Sequence, residues 1–103
     1  MRETYHVNLE SVVTDLVSMS DHVREAVKGA TKALIDADIQ LAEKVISDDV
    51  QLDELHDDIE VRCFSLLARQ SPVAGELRQI VAALRMLADL GRMGDLAAHV
   101  AKI

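Results

Sequence analysis

Apolar residues recur at three- and four-residue spacing along three long stretches of the chain, the spacing that lines one face of an α-helix. In the first stretch the stripe is Leu9, Val12, Leu16, Met19, Val23, Val27, Ala30 and Leu34, which predicts a helix over about 5–35. Gly29 is a mild weakness within it, costing about 1 kcal/mol against alanine. The pattern resets at Asp36, Ala37 and Asp38, and Asp38 is a suitable N-cap for the next helix. The second stretch places Ala42, Val45, Leu52, Leu55, Ile59, Cys63 and Leu66 on one side of a helix over about 39–69. Its middle, SDDVQLDELHDDIE, is dense in carboxylates, yet the apolar spacing continues through it and no glycine or proline interrupts.

The third stretch begins with Ser71 as N-cap and Pro72 at the first helical position, where a missing N–H costs nothing. It predicts a helix over about 72–103 with a core stripe through Val73, Leu77, Ile80, Leu84, Leu87, Gly91, Gly94, Ala98 and Ala101. A second apolar stripe, Met86, Leu90, Met93, Ala97 and Val100, needs packing partners beyond the other two helices. Short connections make neighbours antiparallel, so the expected fold is all-α, an elongated antiparallel three-helix bundle occupying residues 1–103 as one domain. Helices of this length span about 45 Å, so the domain is a thin rod.

Composition narrows the function. Half of the residues are apolar, but Tyr5 and Phe64 are the only aromatics, so the core is aliphatic. A net charge of -7 without a basic stripe excludes a nucleic-acid surface. No apolar run approaches the roughly 18 residues of a membrane span, and the N-terminus lacks a signal-peptide core, so a cytoplasmic chain without membrane insertion is expected. Cys63 is the single cysteine and sits among apolar residues, which reads as a core position in a reducing compartment. No nucleophile turn, glycine-rich phosphate loop or cysteine cluster is present, and no catalysis is expected.

Folding the helices back on one another brings polar residues to common levels. Asp49 and Asp53 then lie level with Asp21, His22 and Glu25 on the first helix, and with Asp89, Arg92 and Met93 on the third. Asp49 and His56 share the seven-residue repeat of the core positions, opposite Gly91 and Gly94. An inward aspartate needs a hydrogen-bond partner, a cation or a metal. The candidate ligands of a divalent or iron ion are Asp95 and His99, four apart on one helix face, with Asp49. The plainer explanation is a solvated face on which Arg92 pairs with Asp89 and Asp95. Glu3 with His6 and Asp53 with His56 carry the spacing of di-iron bundles, but the two pairs fall about 18 Å apart and share no site.

Three segments carry a family resemblance: ALIDADIQLAEKV from Ala33, IEVRCFSLLARQSPVAGELR from Ile59 and DLGRMGDLAAHVA from Asp89. In this order and spacing they make the chain resemble the PhoU family of phosphate-uptake regulators, and its entry and ending are most similar to actinobacterial members. The resemblance implies a non-enzymatic negative regulator that adapts the phosphate ABC transporter, through its ATPase subunit, to a phosphate-sensing histidine kinase. It implies a tandem of two three-helix repeats, of which this chain supplies one, the N-terminal repeat. The second stripe of helix three would face the missing repeat or a second copy in a homodimer. The family's paired acids on helix three include a residue that is Gly91 here, which leaves Asp95 without its companion. Expected partner contacts are Arg78, Arg85 and Arg92 on helix three with Asp53 and Asp57 on helix two.

Overall fold

Only Ala37 and Asp38 separate the first helix from the second. The computed structural model describes the backbone of residues 2–69 and 74–103, and the side chains of 7–68 and 75–103. Helix α1 spans Arg2–Asp36, α2 Ile39–Arg69 and α3 Ala74–Ala101. No strand occurs among the described residues. The three helices pack pairwise into a rod of 52 × 17 × 16 Å. Each predicted helix is present, and the acidic middle of α2 is helical; Ser71, Pro72 and Val73 lie outside the described residues.

The α1–α2 turn is built from two local devices. Ala37 adopts a left-handed conformation with φ 52°, and the Asp38 amide donates back to the Ala33 carbonyl at 2.9 Å, which closes α1 with a Schellman-type bond. Asp38 then caps α2, its Oδ1 accepting from the Leu41 amide at 3.1 Å. About two turns further along, the helices come very close. A Cβ on Gly29 would stand 2.9 Å from Val45 Cγ2, so Gly29 permits close packing that a side chain would obstruct.

The core runs the length of the rod. Leu9, Val12, Leu16, Met19 and Val23 of α1 meet Leu52, Ile59, Cys63 and Leu66 of α2 and Ile80, Ala83 and Leu87 of α3. Near the α1–α2 turn the core continues in smaller residues, Ala30, Val45 and Ala97. Cys63 is fully buried, as its neighbours predicted.

The stripes differ from expectation at particular places. Val27 and Leu34 are 39% and 56% exposed, while Ala30 and Ala33 are buried and Ala26 packs against the core. Helices in a left-handed bundle keep contact every 3.5 residues, and that spacing selects Ala26 and Ala33 over the larger apolar residues beside them. On α3, Leu77 is exposed, and the second stripe divides: Met86 and Met93 are exposed, Leu90 and Val100 half-buried, and Ala97 belongs to the core.

Candidate functional site

Two glycines on α3 open the middle of the α2–α3 contact. A Cβ at Gly91 would lie 3.1 Å from His56 Cδ2 and 3.3 Å from Nε2, and one at Gly94 would lie 3.9 Å from Asp49 Oδ1. Asp49 and His56 therefore face the small residues that the sequence sets opposite them, and both are half-buried.

Asp49, Asp53 and Asp95 each bring an oxygen to within 4.8 Å of the others. Asp49 and Asp53 are one turn apart on α2, and Asp95 reaches them from α3. Burial pushes the Asp49 carboxyl above the ordinary carboxylate range, the charges of Asp53 and Asp95 add to the rise, and Lys102 opposes it. Three oxygens competing for one region of negative potential suit a hard divalent cation, which would relieve the repulsion as well as accept the ligands.

His99, the third predicted ligand, is exposed and does not share in this convergence; Asp53, predicted as a partner contact, takes its place. The signal that could have found Asp53 is its four-residue spacing from Asp49, which places both on one helix face.

Beside the carboxylates a cleft of about 470 Å³ opens between α2 and α3, lined by Asp53, His56, Asp57, Ala88, Gly91, Arg92 and Asp95. His56 Nδ1 lies 3.2 Å from Asp57 Oδ1. Arg92 borders the cleft but forms no ion pair among the described residues, so the expected pairing with Asp89 and Asp95 does not occur. Arg78 and Arg85, on the same exposed ridge of α3 at seven-residue intervals from Arg92, are likewise without a described carboxylate partner. The first helix contributes to a separate groove, where Asp21, His22 and Glu25 face Lys44 and Asp48. The polar belt expected around all three helices is thus two sites on opposite sides of α2. Glu3 and His6 side chains lie outside the described residues.

One polar cluster has no precedent in the sequence reasoning. Arg62 of α2 donates through Nη1 to Ser11 Oγ at 3.0 Å, pairs through Nη2 with Asp15, and holds Asp58 at 3.2 Å from Nε. It ties α1 to α2 away from the carboxylate cluster. Spacing on one helix reveals Asp58, but Ser11 and Asp15 are visible only once the register between helices is known.

Known proteins place this architecture. The chain is 48% identical over all its 103 residues to the phosphate-specific transport system accessory protein PhoU homolog 2 of Mycobacterium tuberculosis, covering 48% of that protein. It is 40% identical over 94 residues to the accessory protein PhoU homolog of Aquifex aeolicus, covering 91% of this chain and 42% of the relative. The corresponding protein of Pseudomonas aeruginosa is 37% identical over 100 residues, which are 97% of this chain and 41% of the relative. The chain spans about half the length of the curated relatives it matches. No solved structure matches it significantly. The PhoU domain pattern matches residues 16–103, from the middle of α1 through the end of α3, and with these relatives it shows that the chain belongs to the PhoU family.

Proposed function

We propose that the chain is a non-enzymatic regulator of phosphate uptake and phosphate-starvation signalling, an adaptor that links the phosphate transporter to a sensor histidine kinase and keeps starvation genes off. The observation that carries this reading is the similarity, over nearly the whole of this chain, to part of proteins named as accessory to phosphate-specific transport. Recognition would occur on helix surfaces: the arginine ridge Arg78, Arg85 and Arg92, with Asp53 and Asp57 across the cleft, offers exposed charge to the ATPase subunit or the kinase. Its site of action is the cytoplasm, at the membrane only through partners; among the described residues no helix is long and apolar enough to cross a membrane. Met86, Met93 and the half-buried Leu90 and Val100 would pack against a further bundle, as part of a longer protein or an assembly.

The test is a titration of the folded chain against the cytosolic portion of the cognate kinase and, separately, the ATPase subunit. Saturable binding weakened about tenfold or more by R85E/R92E supports the adaptor on this face. Absence of binding to both defeats the reading for this chain.

The convergence of Asp49, Asp53 and Asp95 favours a second reading, a metal-binding bundle. Metal analysis after equilibration with manganese, iron or zinc would then find a stoichiometric ion that Asp49→Ala or Asp95→Ala removes and that His99→Ala, given its place outside the cluster, leaves bound. No retained ion with any of the three metals rejects it.

A further inference from the structure

The face that carries the α2–α3 cleft is charged on both sides, and its two sides are complementary. On α2 the acidic side consists of Asp53, Asp57 and Glu60, with Phe64 exposed at its end. On α3 the basic side consists of Arg85 and Arg92, with Val81 exposed at the corresponding end. Both sides border one cleft, since Asp53 and Asp57 line it from α2, and Ala88 and Arg92 from α3.

The observed contacts fix the levels. Gly91 meets His56 and Gly94 meets Asp49, so residues on α2 and α3 whose numbers add to about 145 lie level, one turn of helix being about 5.4 Å. Asp53 is then level with Arg92, Glu60 with Arg85, and Phe64 with Val81. Two acids seven residues apart match two arginines seven residues apart. Yet Arg85 and Arg92 form no ion pair within the chain among the described residues.

A matched acidic and basic ridge on one face defines how a second copy can sit on it. If the two-fold axis runs along the rod, α2 of each copy faces α3 of the other with levels kept, and Asp53 and Glu60 each meet an arginine. If the axis crosses the rod, α2 faces α2 and acid meets acid, which is repulsive. We infer that the α2–α3 face is a self-association surface, closed by a second copy of this chain about a two-fold axis parallel to the helices. Asp53 then faces Arg92 of the second copy, Glu60 faces its Arg85, and Phe64 packs on its Val81. The interface then has an apolar contact at one end and charge pairs along the rest of its length. This surface is distinct from the Met86 and Met93 stripe, which lies on another side of α3. Because the proposed partner contacts lie on the same face, a second copy and that partner would compete for it. The inference stands without the adaptor reading, and its test involves no partner.

Charge exchange provides that test, because Asp53, Arg85 and Arg92 are exposed and Glu60 is only half-buried. Sedimentation velocity of the chain over micromolar to near-millimolar concentration is expected to show a monomer–dimer equilibrium that weakens with added salt. D53R/E60R places arginine against arginine, and R85E/R92E places acid against acid. Each is expected to weaken the dimer about tenfold or more while circular dichroism still reports the helices. Mixed in equal amounts, the two variants should form a heterodimer, visible by native mass spectrometry, because every contact across the two-fold is again complementary. The four-fold exchange D53R/E60R/R85E/R92E should dimerise like the original chain, which also guards against a variant that merely loses stability. A chain that stays monomeric throughout, a mixture that fails to associate, or a dimer indifferent to both exchanges but lost in Met86→Glu would each overturn the inference.

Discussion

At the scale of single residues the structure turns on a few polar groups held in partly dry places. Arg62 pairs with Asp15, hydrogen-bonds Ser11 and approaches Asp58, with its side chain 30% exposed. Partial exposure screens such pairs, so the expected loss in Arg62→Ala is about 1 kcal/mol, and Arg62→Met, which keeps the aliphatic stem, should recover part of it. Chemical denaturation of the three chains measures both numbers. Asp49 works in the other direction. Its raised pKa means that the folded state binds a proton more readily than the unfolded chain, so acidification through the shifted range favours folding at this site, and ionisation above it is a cost. Asp49→Asn is therefore expected to raise the melting temperature at pH 7, and the gain should fade as pH falls into the ordinary carboxylate range. A gain that persists unchanged at low pH would contradict the assignment to charge.

At the scale of elements, the three helices were readable because their apolar spacing is long and unbroken, and Asp38 was readable as a cap from its position alone. The end of α1 was not. Helices that finish in a left-handed residue usually use glycine, and here Ala37 holds φ 52°. Ala37→Gly should therefore stabilise the chain by about 0.5–1 kcal/mol, read as a rise of about 4–8 °C per kcal/mol in thermal unfolding of a domain this size. Gly29 was misjudged for the opposite reason. Read locally it weakens a helix, but its backbone faces Val45, a neighbour supplied by another element. The carboxylate cluster shows the same limit: Asp49 and Asp53 share a face by spacing, whereas the approach of Asp95, and the failure of His99 to join, depend on how α3 is rotated. His56 lying over Gly91 was foreshadowed only because small residues on one helix admit larger ones from the next.

At the scale of the whole molecule, a thin three-helix rod has much surface for its core, so the same residue type is structural on one side of a helix and free on the other. The second stripe of α3 shows where that line falls. Ala97 is 4% exposed, whereas Met93, four residues earlier, is 46% exposed. The larger side chain is outside because the bundle's approach at this level admits only small residues: Ala97 joins Ala30 and Val45 in the narrow core near the α1–α2 turn. Lysine at position 97 must bury its charge or push the helices apart, a loss of several kcal/mol that is large against the 5–15 kcal/mol of a typical domain. Lysine at position 93 meets solvent and should change stability by no more than about 0.5 kcal/mol. Thermal unfolding of Ala97→Lys and Met93→Lys separates the two. Ala97→Lys should melt far below the parent chain or not fold, while Met93→Lys should melt with it and bind less of an apolar dye. Equal losses in the two variants would mean that the methionine stripe is already packed within a single chain, and that α3 has one core face rather than a core face beside an open one.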